Sequence, residues 1–239
     1  MRPLAIVTGG SSNIGWACVQ ALATDHDVVI ADLRSPSVAL PPGVRYAGLD
    51  ITDEMACRCM LSSTCHSRGL DLLVHSAAIT APVRPIEEIE AAEWRRIVEV
   101  NLNGAFFVAQ AAIPALRRAR GSAVFIASRA GRTGYAALNA AASGTKPHYA
   151  ASKAALLSLV KSLALELAPD GVRVNAVVPG SIEGQMIPRE RWPELAQRIP
   201  LGRLGTPEEV AEAVRFLGSP AARYITGHGL DVNGGTWMT

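Results

Sequence analysis

Excess charge of one sign, long apolar runs and cysteine are all scarce in this sequence, and each scarcity excludes something. Basic residues number 23 against 21 acidic, a net charge of +2 with only 18% of residues charged. No Lys/Arg block stands out, so the electrostatic footprint of a nucleic-acid or anionic-membrane partner is missing. The stretch with most claim to crossing a bilayer, Leu102 to Leu116, is interrupted by Asn103, Gln110 and Pro114 and is shorter than the ~20 apolar residues of a spanning helix. The apolar run within Met1 to Gly10 is too short for a secretory signal and passes straight into a glycine turn. Four cysteines, Cys18, Cys57, Cys59 and Cys65, in 239 residues are too few for a disulfide scaffold and fit a reducing compartment. Cys57, Cys59, Cys65 and His66 do not read as a metal site, because residues two apart point to different sides of a helix and the spacing matches no structural zinc pattern. The expectation is a soluble, cytoplasmic protein with no metal.

Apolar residues are plentiful at 49%, enough for a self-sufficient core, and the length suits one α/β domain over 1–239. Short runs rich in Val, Ile and Leu recur at Leu4 to Val7, Asp27 to Ala31, Val44 to Ala47, Leu70 to His75, Ala123 to Ala127, Val172 to Val178 and Gly229 to Val232. Continuously apolar strands belong to a sheet covered on both faces. Helical patterns lie between them at Asn13 to Thr24, Asp53 to Arg68, Ala91 to Ala119, Pro147 to Ala168 and Pro207 to Leu217. The alternation predicts a Rossmann-type, doubly wound parallel sheet of about seven strands with helices on both faces. Thr206-Pro207-Glu208-Glu209 sets a cap, a first-turn proline and first-turn acids in the expected order. Pro36, Pro41 and Pro42 predict a loop over Arg34 to Gly43.

The first strand runs into Thr8-Gly9-Gly10-Ser11-Ser12-Asn13-Ile14-Gly15 and then a helix. Glycines allow a tight turn and close backbone approach, and the helix N-terminus offers free N–H groups to a pyrophosphate. Such a turn alone is also an ordinary strand-to-helix connection. Asp32, about 20 residues on and at the end of the second strand, supplies the context: its carboxylate accepts bonds from ribose hydroxyls and repels a 2′-phosphate. NAD is favoured over NADP, although Arg34 stands near enough to pair with such a phosphate.

Tyr149 and Lys153 are one helical turn apart. A phenol titrates near pH ~10 and becomes a useful base when a neighbouring cation stabilises its phenolate. Taken alone the pair equally describes a surface contact with a snorkelling lysine. With the glycine turn, Asp50-Ile51, Asn101-Leu102-Asn103-Gly104, Ser128, Asn175 to Gly180 and Gly202 to Val210 in order along the chain, the sequence resembles the short-chain dehydrogenase/reductase family from Leu4 to Gly235. The resemblance implies Tyr149 as general acid/base, Lys153 lowering its pKa and holding the nicotinamide ribose, Ser128 orienting the substrate oxygen and Asn101 anchoring a relay water. It further implies a cofactor site that includes Gly9, Ser12, Asn13, Ile14, Asp32, Asp50, Ile51, Ala77, Pro179, Gly180 and Ile182. Asp50 would meet the adenine and Pro179-Gly180 would wall the nicotinamide. A homo-oligomer, dimer or tetramer, follows from the same resemblance, with Phe106, Phe107, Leu156, Leu159 and Leu163 on the helices that pair subunits.

The sequence departs from the family at four places. Asn13 replaces the middle glycine of the turn. His75-Ser76-Ala77-Ala78 stands for Asn-Asn-Ala-Gly, which puts the usual sheet-bracing contacts in question. Gly184 stands where a threonine is frequent, and the loop between Ser128 and Tyr149 is long, with Ser143 as fallback for Ser128. Near the substrate, Ser128, Arg129, Lys146 and Tyr149 are the candidate contacts. Arg129, Arg132, Asn139, Lys146, His148, Arg189 and Arg191 offer cations or polar groups for an anionic substrate group, or are simply solvated loop residues. The leading expectation is an NAD-dependent oxidoreductase for a secondary alcohol or its ketone. The alternatives are an NADPH-dependent 3-oxoacyl-type reductase and a non-catalytic dinucleotide sensor or scaffold.

Overall fold

A computed structural model describes residues 2–66, 68–134 and 144–238. Among these, seven strands form one parallel sheet: β1 (Leu4–Thr8), β2 (Asp27–Asp32), β3 (Val44–Gly48), β4 (Leu72–His75), β5 (Ser122–Ile126), β6 (Arg173–Pro179) and β7 (Gly229–Val232), in the order β3-β2-β1-β4-β5-β6-β7. The chain winds outward from β1 through β2 to β3, then returns to the other side of β1 as β4. Thr8 lies in register with Ala31 on one side and His75 on the other. At that reversal the connections leave in opposite directions and open a crevice at the carboxyl ends of β1 and β4.

Side-chain alternation along β1 divides the core. Leu4 and Ile6 join a cluster with α2 (Glu54–Thr64), α4 (Gly104–Ala119) and α6 (Pro147–Leu167), whereas Ala5 and Val7 join one with α1 (Asn13–Leu22) and α8 (Pro207–Gly218). Burial on both faces explains why central strands such as β1 and β4 read as nearly unbroken apolar runs, whereas the edge strands β3 and β7 are only partly buried. The loop over 34–43 is free of regular structure, as its prolines predict.

Most boundaries shift by one or two residues, and the larger differences have local reasons. Strand β4 starts at Leu72 because Leu70 N–H already donates to the Ala115 carbonyl and Asp71 N–H to that of Leu4. The second helix stops at Thr64, and Arg68 turns aside to meet Asp27 at 3.1 Å. The helix expected over Ala91 to Ala119 is three segments: α3 (Ala91–Val98), a π-helical turn (Glu99–Asn103) and α4. By length and composition the whole 91–119 stretch passes as a candidate span, but Ala105, Val108, Ala109, Ala112, Ala115 and Leu116 of α4 are buried in the core. Two short helices escaped the periodicity, α5 (Ala130–Thr133) and α7 (Trp192–Ala196); each is too brief to repeat an apolar spacing.

Candidate functional site

The site grows from the turn after β1. Gly9 has φ +66°, and a Cβ there would lie 2.7 Å from the backbone of Ala77; a Cβ on Gly15 would lie 2.0 Å from the Gly9 carbonyl oxygen. Only glycine fits either place. Asn13, in the middle position, takes φ +45°, a left-handed conformation that asparagine tolerates better than most residues. Ser12, the N-cap of α1, makes no side-chain capping bond, and the first turn carries no acid. The end of α1 therefore keeps its positive dipole and its N–H groups for an anion.

Asp32 closes β2 beside this turn. One carboxylate oxygen accepts from Ser11 N–H at 3.0 Å and the other from Arg34 N–H at 3.2 Å. The carboxylate thus braces the glycine turn while retaining lone pairs for a ribose. Asp50 accepts from Thr52 N–H at 2.9 Å and Thr52 Oγ1 at 2.7 Å, and these bonds, with a smaller contribution from Arg96, hold its carboxyl below the usual range.

These groups face one cavity of about 630 Å³. Every predicted cofactor residue lines it: Gly9, Ser12, Asn13, Ile14, Asp32, Asp50, Ile51, Ala77, Pro179, Gly180 and Ile182, together with Ser128, Tyr149 and Lys153. A Cβ on Gly180 would lie 2.8 Å from Asn233 Cα, so close approach of the segment after β7 requires that glycine. A glycine turn under an uncapped helix end, with a strand-end carboxylate alongside, fits a dinucleotide.

The same cavity is lined by Tyr149 and Lys153 of α6. Lys153 Nζ lies 5.9 Å from the centre of the Tyr149 ring and donates to the Ile126 carbonyl at 2.8 Å. The lysine is 3% exposed, and burial pushes its ammonium down to about 8. Ser128 lies two residues beyond β5, where its Oγ accepts from Ala130 N–H at 3.1 Å.

Asn101 sits behind the cavity rather than on its wall. Its Oδ1 accepts from Ile79 N–H at 2.8 Å, and its Nδ2 donates to the Ile79 carbonyl at 3.0 Å and to Ser152 Oγ at 3.2 Å. At 1% exposed it is no solvated polar residue, and the π-helical turn carries it inward. The departure at His75 proves to be a brace of another kind. Its Nδ1 shares a 2.9 Å hydrogen bond with Thr8 Oγ1, joining β4 to β1, and its ring packs on Phe125 at 5.6 Å between centroids.

The candidate cations separate into two groups. Arg129, Lys146 and Arg191 line the cavity. Arg132 instead donates to the Gly229 carbonyl at 2.7 Å and pairs with Asp231 at 3.4 Å; His148 is buried against Glu93 at 2.9 Å; and Arg189 lies over the Trp192 ring at 5.6 Å. Asn139 and Ser143 lie outside the described residues. Sequence reasoning missed Arg96, Thr80, Val83, Met186 and Leu195 as further lining residues. Val83 and Leu195 are isolated apolar residues in a loop and a five-residue helix, and nothing in their local sequence marks them as facing a cavity. Cys57 is buried and Cys59 exposed, as their two-residue spacing predicts, and no metal-holding cluster occurs among the described residues.

Comparison with known proteins places this geometry. The family model described as "Enoyl-(Acyl carrier protein) reductase" matches residues 9–236. The cis-4-hydroxycyclohexanecarboxylate dehydrogenase of Sinomonas cyclohexanicum is 35% identical over 97% of this chain and 95% of its own length. The 3-oxoacyl-acyl-carrier-protein reductase of Vibrio cholerae is 36% identical over 98% of this chain and 97% of its own. Among solved structures, a short-chain dehydrogenase from Leptospira borgpetersenii with bound NAD+ superimposes with a TM-score of 0.90 at 28% identity, covering 100% of this chain and 94% of that one. With the parallel sheet, the glycine turn and the lysine beside the tyrosine already in view, these likenesses have one reading: the chain belongs to the short-chain dehydrogenase/reductase family of oxidoreductases.

Proposed function

We propose that the protein is an NAD(H)-dependent oxidoreductase that interconverts a secondary alcohol and its ketone. The observation that carries the reading is the placement of Tyr149, with Lys153 Nζ 5.9 Å from its ring, in the lining of the same cavity as Ser128 and the Gly9 turn. In oxidation the Tyr149 phenolate takes the hydroxyl proton of the alcohol. The buried Lys153 ammonium stabilises that phenolate electrostatically and bonds the nicotinamide ribose. Ser128 Oγ donates to the substrate oxygen and fixes which carbon faces the nicotinamide. A bound nicotinamide supplies the hydride acceptor, or the donor in reduction. With its side chain committed to Ile79 and Ser152, Asn101 acts through its backbone carbonyl on a relay water.

Asp32 supports NAD, since a 2′-phosphate would meet a carboxylate already fixed by two backbone N–H groups. The second reading, an NADPH-dependent 3-oxoacyl-type reductase, is favoured by the Vibrio relative and by Arg34 two residues after Asp32. Initial rates with the two nucleotides separate them: the first reading expects NAD to be preferred by tenfold or more, about 1.4 kcal/mol, and a preference for NADP overturns it. The substrate of the Sinomonas relative is the first compound to try. The reading also takes the protein as a cytoplasmic homo-oligomer, with Phe106 on α4, 44% exposed, and Leu165 on α6, 81% exposed, as apolar surface for pairing; Leu156 and Leu163 belong to the core.

A further inference from the structure

Three stretches meet around Tyr149: residues 79–84 beyond β4, α3 with its π-helical turn, and the start of α6. Asn101, buried, ties them once, through Ile79 on the first stretch and Ser152 on the last. Glu93, on α3 and about two turns before Asn101, ties the same three stretches a second time. One of its carboxylate oxygens meets His148 Nε2 at 2.9 Å, and the other pairs with Arg84 at 3.4 Å. A carboxylate only accepts, so the His148 ring carries its proton on Nε2. His148 is fully buried and stacks with Trp94, the residue after Glu93, at 6.3 Å between ring centres. Arg84 in turn exchanges backbone bonds with Thr145: its N–H donates to the Thr145 carbonyl at 3.3 Å, and its carbonyl accepts from Thr145 N–H at 3.1 Å.

Tyr149 lies between the two ties, next to His148 and one turn before Ser152, whose Oγ donates to the Tyr149 carbonyl at 2.8 Å. It also belongs to the first turn of α6, and a first turn is the least held part of a helix because its N–H groups have no partner within it. The local sequence gives this turn no help: the N-cap Lys146 makes no side-chain capping bond, and no acid stands in the turn. Lys153, one turn further on, is anchored separately by its 2.8 Å bond to the Ile126 carbonyl. The phenol and its ammonium are therefore held by different contacts, and their separation depends on what fixes the first turn. We propose that Glu93, acting through His148 and Arg84, is a positioning residue for Tyr149: it holds the start of α6 against the 79–84 stretch so that the phenol stays beside Lys153. The proposal rests on the oxidoreductase reading for what the phenol does.

Two measurements test it. With NAD and cis-4-hydroxycyclohexanecarboxylate, Glu93→Ala is expected to lose about tenfold or more in kcat, since a misplacement of about 1 Å can cost ~10²-fold, while nucleotide affinity stays within about threefold. Glu93→Gln still accepts from His148 Nε2 and recovers most of that loss; a role in stability alone would lower the melting temperature and leave kcat in place. Should Glu93→Ala not fold, His148→Leu and His148→Gln make the same comparison from the other partner. The second measurement needs no substrate. Phenolate absorbance followed against pH, with the Tyr149→Phe titration subtracted, reads Tyr149 alone. Deleting a nearby carboxylate makes a phenol easier to ionise, whereas moving it away from Lys153 makes it harder, so the two effects differ in sign. The ionisation constant is expected to fall about tenfold in Glu93→Ala and to hold or rise in Glu93→Gln. A kcat unmoved in Glu93→Ala, or a phenol there that ionises as readily as in the parent, overturns the positioning role. A protein that oxidises no alcohol and reduces no ketone with either nucleotide, yet shows the harder ionisation in Glu93→Ala alone, leaves the positioning role standing and overturns the oxidoreductase reading instead.

Discussion

The carboxamide of Asn13 lies against Gly184: a Cβ on Gly184 would come within 2.4 Å of Asn13 Nδ2 and 2.7 Å of its Oδ1. Two departures from the family pattern, an asparagine for a glycine and a glycine for a threonine, are thus a single exchange. A side chain has moved from the segment after β6 to the turn after β1, and the space between them is used once. Gly184→Thr alone should collide with Asn13 and strain a backbone held at φ +145°, lowering dinucleotide affinity by about tenfold, or ~1.4 kcal/mol. Adding Asn13→Gly removes the collision though not the strain, so the double variant recovers part of the loss, with a coupling of about 1 kcal/mol. Titration of reduced-nucleotide fluorescence across the four proteins measures the cycle, and strictly additive effects would show that the contact does nothing.

Removing the phenol oxygen separates chemistry from binding. Tyr149→Phe leaves the glycine turn and Asp32 untouched, so nucleotide affinity should stay within about threefold while turnover falls by ~10²–10⁴, the range of a lost general acid/base. A pH profile supplies the complementary check. Burial sets the Lys153 ammonium at about 8, so its charge fades as pH rises past that value. Because kcat/KM reports groups of the free enzyme, it should decline on that alkaline side. A profile still rising through pH ~10 would show that the lysine charge is not needed.

The fold was legible because a parallel sheet buried on both faces writes its strands as unbroken apolar runs, and because the turns at Gly9 and Pro179-Gly180 use residues that few other geometries require. The shape of the site was less so. Asn101 leaves the helical register through bonds to Ile79, 22 positions away, and no window along the chain contains both partners. The pairing of Asn13 with Gly184 is likewise a contact between segments far apart in the sequence. Arg132 and His148 looked like Arg191 and Lys146 in sequence; only their partners, Asp231 and Glu93, show that they brace the structure. Short helices such as α7 escape detection because they complete too few turns to set a period.

His75 makes native stability depend on acid. Its imidazole is fully enclosed between β1, β4 and Phe125, and burial, with the Lys153 charge adding to it, pushes the group down to about 3. In the unfolded chain a histidine titrates near ~6.5. Between those values the unfolded state binds a proton that the native state refuses, so stability is complete above ~6.5 and drains away as pH falls toward 3. At 1.36 kcal/mol per pH unit, the loss from this one group amounts to about 2 kcal/mol between pH ~7 and pH ~5. His75→Asn keeps a polar partner for Thr8 Oγ1 but has nothing to protonate. It should be less stable than the parent at neutral pH, where a smaller side chain leaves space beside Phe125, yet lose less on acidification. Carboxylates titrate alike in both proteins and cancel in the comparison. Urea unfolding midpoints at the two pH values give the difference directly, and parallel losses in parent and variant would mean that the histidine is charged, or reaches water, in the folded protein.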